Sequence, residues 1–166
     1  MNWIIDAILK MMPAYIGNSA PVFFGKLFPS LTKPIDGGRK AKDGNRLLGD
    51  GKTWLGLVAS LIGGALGGWI ASFWGVGTII SGMLIGFAAV IGDSIGSFTK
   101  RRLKMKRGDN AGLLDQMDFI IAGLIVASFF QNFTWVQIAF ILLSTPLIHR
   151  VANIIGYKLK LKSVPW

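Results

Sequence analysis

The sequence predicts an all-α, polytopic integral membrane protein with about five transmembrane helices and two long cytoplasmic loops. Three observations predict it. Just over half of the residues, 52%, are hydrophobic, and mean hydropathy is +0.53. The apolar residues fall in continuous stretches near the length that crosses a hydrocarbon core, roughly 20 residues, rather than in the ~10-residue alternating strands of a membrane barrel. The charges are gathered in short runs between those stretches. A chain of 166 residues suits a single domain, 1–166.

The first apolar segment, residues 3–24, is interrupted by Asp6, Lys10, Pro13, Asn18 and Pro21. It lacks the basic start of a signal peptide and reads as a retained membrane helix. Asp6 and Lys10 are four apart, so they are expected to pair across one turn. The two prolines predict a kink or an early end. Asn18 is polar at membrane depth, which points to an interhelical hydrogen bond or a substrate contact.

Residues 25–53 form a polar loop with seven bases and three aspartates, Asp36, Asp43 and Asp50, each followed by glycine. A loop this long is more than a connector. Asp-Gly pairs favour tight turns, and such turns expose backbone N–H groups that hold anions. Lys52-Thr53 has the look of a P-loop end, but Arg46 stands where that motif needs its first glycine, and no strand precedes it. The stretch 49–53 instead leads straight into the second apolar segment, so Lys52 and Thr53 sit at a helix N-terminus, a place that favours phosphate.

That second segment, 54–73, carries Gly63, Gly64, Gly67 and Gly68, the small-residue spacing of close helix packing. Phe73 and Trp74 mark a water interface, and a short turn leads to the third segment, 78–98. A basic loop, 99–112, separates this from the fourth segment, 113–130. An aromatic-rimmed turn precedes the fifth, 135–155, and a basic tail follows.

Of eighteen Lys and Arg, seven lie in the first loop, six in the second and four at the C-terminal end. Only Lys10 lies on the other side. This bias places the N-terminus outside, and both loops and the tail in the cytoplasm, of a multi-pass cell-membrane protein. The net charge of +10 would suggest nucleic acid in a soluble chain. Here it reads as the positive-inside bias and attraction to anionic lipid, with no nucleic-acid partner.

The chemistry concentrates in residues 91–119, which hold four of the eight aspartates. Asp93, Ser97 and Lys100 are spaced i, i+4, i+7 and share one helix face. Asp115 and Asp118, i, i+3, share a face in the first turns of the next helix. Carboxylates at the edge of the hydrocarbon need a basic partner or a cation. Either each aspartate pairs with a loop base, or the set binds a divalent metal. With no cysteine or glutamate in the chain and a lone histidine, His149, an all-carboxylate site suits Mg²⁺. Mg²⁺ with bases and glycine turns is the chemistry of a nucleoside triphosphate. His149 has no acid at catalytic spacing and reads as interfacial packing or a lipid-phosphate contact.

The order Gly92-Asp93, Ser97, Lys100-Arg101, Asp109, Asp115-Gln116-Met117-Asp118 resembles the CTP-dependent cytidylyltransferases of phospholipid synthesis. CDP-diacylglycerol synthases show a similar Ser-x-x-Lys-Arg, Lys-Asp and Asp-Arg-x-Asp order. Here Gln116 replaces the arginine, and Arg107-Gly108 precedes Asp109. The first loop, with Lys33-Pro34-Ile35-Asp36-Gly37-Gly38, Asp43-Gly44 and Gly49-Asp50-Gly51-Lys52-Thr53-Trp54, is similar to the archaeal branch, the CDP-archaeol synthases. The resemblance spans essentially the whole chain. It implies transfer of CMP from CTP to an isoprenoid glycerol ether-lipid phosphate, with Mg²⁺ as cofactor and pyrophosphate as the second product. It further implies metal at Asp93, Asp115 and Asp118, with these and Lys100 catalytic, and CTP at Asp36, Asp43, Asp50, Lys52, Thr53, Ser97, Lys100 and Arg101. Two other readings compete. A CDP-alcohol phosphotransferase needs Asp-Gly-x-x-Ala-Arg, which Asp43-Gly44-Asn45-Arg46 does not match. A small channel or transporter would line a path with its charges instead of keeping them at one interface.

Overall fold

The apolar stretches fold as helices in a computed structural model that describes residues 1–106 and 108–165. Arg107, one of the second loop's bases, and Trp166 lie outside the described residues. The helices are α1 (Trp3–Leu27), α2 (Trp54–Ser72), α3 (Ile79–Arg102), α4 (Leu113–Ala127) and α5 (Trp135–Lys158). The described residues contain no strand beyond two isolated bridges, 34 with 53 and 40 with 46, both inside the first loop.

Short polar side chains start four of the helices. Asn2, Thr53, Thr78 and Thr134 each accept a hydrogen bond from an N–H that has no partner inside its helix. The helix α4 begins at Gly112 without such a cap. α1 does not end early: it continues through Pro13 and Pro21 to Leu27. Its neighbour explains the tolerance. The Pro13 backbone occupies the space above Gly67 of α2, where an added Cβ would meet Pro13 Cα at 2.6 Å. Packing of this kind holds a proline in a membrane helix despite the lost hydrogen bond.

α2, α3 and α5 are long and apolar enough to cross a membrane. The other two differ from the predicted spans for separate reasons. α1 has the length but carries Asp6, Lys10 and Lys26. α4 has only 15 residues, about 22 Å at the helical rise, short of a ~30 Å hydrocarbon core. Its first turns, with Asp115 and Asp118, therefore stay within the bundle.

The glycine stripe on α2 meets α3 of the same chain. A Cβ on Gly86 would lie 2.7 Å from Gly64 Cα, and one on Gly68 would lie 2.8 Å from Gly82 Cα. The core is built from Ala7, Met11 and Ala14 of α1, Ile85 and Ala89 of α3, Phe119 and Ile120 of α4, and Ile141 of α5. α5 packs chiefly on α1 and α4. It leaves Leu143 81% and Leu147 68% exposed, an apolar surface suited to lipid.

At the end of the bundle that holds the N-terminus and the two short turns, Asp6 and Lys10 pair at 2.6 Å, as their spacing predicts. Asn18 is half-buried and makes no side-chain hydrogen bond among the described residues, so the predicted interhelical bond is not formed. The opposite end holds both long loops and the tail.

Candidate functional site

The first loop is organised around Asp36. Its carboxylate accepts from Arg46 Nη2 (2.5 Å) and Nε (3.2 Å) and from the backbone N–H of Gly38 (3.1 Å), Leu48 (3.0 Å) and Gly49 (2.9 Å). The Arg46 guanidinium holds this carboxyl well below the usual carboxylate range, assisted by the three N–H groups and opposed by burial. Arg46 also reaches Asp50 at 2.7 Å. The resemblance implies CTP at Asp36, and its hydrogen bonds here are all to the loop itself. The turn after Asp43 uses Gly44 at φ +79°, a conformation glycine adopts freely. Backbone bonds from Ile35 N to Lys52 O (2.8 Å) and Trp54 N to Lys33 O (3.1 Å) close the loop at its base.

Arg102, in the last turn of α3, docks this loop onto the helix. It donates to Asp43 (2.8 Å) and to the carbonyls of Arg46 (2.5 Å) and Asn45 (3.4 Å), and its guanidinium lies over the Phe98 ring. α3 ends with Lys104 left-handed, Met105 N–H bonding Lys100 O and Lys104 N–H bonding Arg101 O. Arg101 is held by the Met105 carbonyl, while its buried Nε makes no hydrogen bond among the described residues. A Cβ on Gly49 would lie 3.8 Å from that Nε, so the loop backbone passes beside it. In the second loop Asp109 accepts from Lys106 N–H at 2.6 Å. Thr53 is spent capping α2, and Ser97 is buried on α3.

The three inner aspartates come to the same end of the bundle. Lys52 Nζ donates to Asp93, and Lys100 Nζ donates to Asp115 at 2.5 Å. Asp115 also accepts from Ala111 N–H (3.0 Å), which orders the uncapped start of α4. Asp93, Asp115 and Lys52 all lie within electrostatic reach of Asp118. Asp118 Oδ1 accepts from Phe119 N–H. Its Oδ2 is buried with no hydrogen bond among the described residues, pressed against Gly96 where an added Cβ would overlap it.

The residues leave two readings open, each aspartate paired with a loop base or the set bound to a divalent metal, and the resemblance implies metal at all three. Among the described residues no three acidic or histidine side chains stand together as a ligand set, and Asp93 and Asp115 are each paired with a lysine. Adjacent carboxylates repel, and a lysine neutralises each one. The donor chemistry nevertheless fits a hard divalent cation: all oxygen, with one buried carboxylate oxygen left over.

Three features escape the sequence reading. Arg46 is the counter-charge of Asp36, ten residues away, a distance with no periodic signature. Asn153 lies one helical turn from His149, and their side chains meet, Nδ2 to Nδ1, at 3.2 Å; that spacing was a readable signal. Lys162 had none. α5 ends with Lys160 left-handed, which turns the tail back so that the Lys162 stem crosses Gly156 and its Nζ donates to Asn153 Oδ1 at 2.8 Å. Burial lowers the Lys162 pKa.

The family model described as CarS-like, CDP-archaeol synthase, matches residues 1–166. The chain is 42% identical over 167 residues to a CDP-archaeol synthase of Thermococcus gammatolerans, covering 96% of this chain and 95% of that one. It is 41% identical over 169 residues to a CDP-archaeol synthase of Sulfolobus acidocaldarius, with 100% of both covered. A solved structure described as an intramembrane enzyme for archaeal membrane lipids biosynthesis superposes with TM-score 0.81 at 37% identity, covering 92% of this chain and 98% of that one. With a family model and relatives that run its full length, the chain belongs to the CarS-like CDP-archaeol synthase family.

Proposed function

We infer that the chain is a membrane-embedded cytidylyltransferase that moves CMP from CTP to an archaeal ether-lipid phosphate, giving CDP-archaeol and pyrophosphate. The observation that carries this reading is membership of a family whose relatives bear that activity in their name. The gathering of Asp93, Asp115 and Asp118 with Lys52, Lys100 and Arg101 at one end of the bundle supports it. A lipid-phosphate oxygen attacks the α-phosphorus of CTP, a new P–O bond forms, and the bond to the β-phosphate oxygen breaks, with the electron pair leaving on pyrophosphate. The nucleophile is already anionic, so no side chain needs to remove a proton.

The protein's task is to position two anions and offset their repulsion. Lys52 and Lys100, each already at an aspartate, and Arg101, which pairs with no carboxylate among the described residues, hold the triphosphate. The loop braced by Asp36 and Arg46 and docked by Asp43 and Arg102 covers the nucleotide, with Asp50 on its exposed side. Thr53 caps α2 beneath it, and Ser97 lies buried on α3. Asp93, Asp115 and the spare oxygen of Asp118 are the donors that would hold Mg²⁺. When bound, Mg²⁺ supplies charge neutralisation at the phosphates. The loops and tail face the cytoplasm, where CTP is found, and the N-terminus faces out.

Purified protein with labelled CTP, Mg²⁺ and an unsaturated isoprenoid glycerol ether phosphate tests the reading. CDP-lipid and pyrophosphate are expected in equal amounts. CMP release from a supplied CDP-alcohol and acceptor alcohol, with CTP left unconsumed, would mark a CDP-alcohol phosphotransferase, and solute flux through liposomes without CTP consumption would mark a channel.

A further inference from the structure

The loop-end half of α5 carries polar residues that the chemistry at the three aspartates leaves unused. Arg150, His149 and Asn153 line a cleft of about 320 Å³ together with Asp115, Gln116 and, from the tail, Pro165. No residue of the loop 25–53 lines it. The cleft thus meets Asp115 from a direction separate from the nucleotide loop.

Its charge is unbalanced. Four other cations around the aspartates are matched, Lys52 to Asp93, Lys100 to Asp115, Arg102 to Asp43, and Arg46 to Asp36 and Asp50, and Arg101, which has no carboxylate, is held by the Met105 carbonyl. Arg150 is exposed and makes no ion pair or side-chain hydrogen bond among the described residues. Beside it the His149 ring is fixed. An ammonium only donates, so Asn153 Oδ1 faces Lys162 and Asn153 Nδ2 faces His149 Nδ1. The same amide nitrogen lies 3.5 Å from His149 Nε2, so the neutral ring accepts through whichever nitrogen is unprotonated, and the other nitrogen carries its one N–H. The Phe119 ring supports the imidazole at 5.5 Å between centroids.

The other wall is apolar and open to lipid. Ile154 lines the cleft, and Val151 and Leu147, three and seven residues before it on the same helix face, are also exposed. A ligand that satisfies both walls has an anionic head and an apolar tail. CTP lacks the tail, and the nucleotide loop lies elsewhere.

We propose that this cleft seats the phosphate head of the lipid substrate, which arrives sideways from the hydrocarbon along Leu147, Val151 and Ile154, with Arg150 as its charge partner. The inference rests on the cytidylyltransferase reading above. The two phosphates then approach from opposite quarters: the triphosphate under the first loop and the lipid phosphate past α5, with Asp115 between them. Arg150 and His149 touch the lipid head. Asn153 and Lys162 are positioning residues that act through His149.

Steady-state kinetics of the full-length protein in mixed micelles test it, varying the mole fraction of ether-lipid phosphate at saturating CTP and then CTP at saturating lipid. Wild-type CDP-lipid formation establishes the underlying reading, and its absence overturns both. Arg150→Gln is expected to raise the lipid KM about tenfold or more, the worth of one charged hydrogen-bonded contact, with the CTP KM and kcat unchanged. Ile154→Trp, which fills the cleft from its apolar side and leaves the charge intact, is expected to do the same. Lys162→Ala raises the lipid KM and Lys162→Arg restores it. Lys158→Gln removes an equal charge from an exposed position nearby and shifts neither constant. An unchanged lipid KM in active Arg150→Gln and Ile154→Trp variants overturns the proposal. So does a rise confined to the CTP KM, which would give the cleft to the nucleotide.

Discussion

The two ends of the bundle both hold aspartate and lysine against each other at the edge of the apolar region, and they do so in different ways. At the short-turn end the pair is local: Asp6 and Lys10 lie one turn apart on α1. Gln137 of α5 donates to Asp6 at 2.7 Å and Lys10 donates to the Asn132 carbonyl at 2.8 Å, so both charges are satisfied where they stand. Among the described residues the unpartnered buried side-chain atom there is a neutral amide oxygen, on Gln131. At the loop end three pairs join distant elements, Lys52 with Asp93, Lys100 with Asp115, and Arg102 with Asp43, beside the pairs of Arg46 with Asp36 and Asp50 inside the first loop. The unpartnered buried atoms there belong to charged groups, Arg101, Arg102 and Asp118. Cavity size does not separate the ends, since the short-turn end has the larger cleft, about 450 Å³ against about 320 Å³. What separates them is whether charge has been brought together from across the chain and left with bonding capacity.

The largest effect expected from this contrast is at Asp118. Asp118→Asn keeps the side-chain shape and removes the charge, so CDP-lipid formation should fall by about 10³-fold, in line with other transition-state charge stabilisers, while the thermal melt stays near wild type. Asp93→Asn should behave alike. Near-normal turnover in either variant would remove that aspartate from the chemistry. Gly96→Ala sharpens the point. Its methyl meets the end of the Asp118 side chain, which is displaced at small cost to folding, so turnover should fall about 10²-fold with little change in melting. Gly68→Ala meets backbone instead, with Gly82 Cα at 2.8 Å, and should cost about 1–3 kcal/mol of stability. Measuring turnover and melting temperature for both variants separates the two kinds of glycine. Equal stability losses would show that Gly96 serves packing alone.

Much of this arrangement was legible in the sequence because it rests on periodicity. The helix positions follow from the lengths of the apolar runs, and the Asp6–Lys10 pair and the shared face of Asp115 and Asp118 from spacings of four and three. The glycine stripe on the second apolar segment announced close packing. What was not legible is tertiary. Nothing in the string pairs Asp36 with Arg46, chooses Lys52 over six other first-loop bases for Asp93, or folds Lys162 back onto Asn153. A proline reads as a helix breaker until a glycine on the next helix is known to receive it, as Gly67 receives Pro13. The shortness of α4 was hidden for a related reason: its apolar run continues past Ala127, but the chain turns at Ser128.

A smaller effect belongs to Asp36, which acts on the loop and not on the phosphates. Asp36→Asn removes the charge and one of the two oxygens that accept from Arg46 and should loosen the loop by about 2–3 kcal/mol, raising the CTP KM about tenfold and leaving the lipid KM unchanged. The pH dependence has a defined sign. A carboxyl held below its ordinary range stabilises fully above its unfolded pKa, about 4, and that contribution is lost as pH falls through the lower folded value. Hydrogen-exchange protection of the Leu48 and Gly49 amides, which donate to Asp36, should therefore hold from neutral pH to about 4 and decline only below it. Loss of protection near pH 6 would mean that another group, not Asp36, orders the loop.

The smallest effect on turnover is expected at Asp6. Its side chain is 18% exposed and that of Lys10 is 13% exposed, so neither charge is well solvated. Asp6→Asn leaves the Lys10 ammonium with the Asn132 carbonyl as its remaining strong acceptor and should cost about 1–3 kcal/mol of stability. Lys10→Gln in the same background should recover part of that cost, because the uncompensated charge goes with it. Neither variant reaches the phosphates, so CDP-lipid turnover below the melting range should stay within about twofold of wild type. Thermal unfolding in detergent and the CDP-lipid assay, run on the same preparations, check both halves. A tenfold loss of turnover with an unchanged melt would show that the two ends of the bundle are coupled, and that a satisfied local pair is no guide to a structural role.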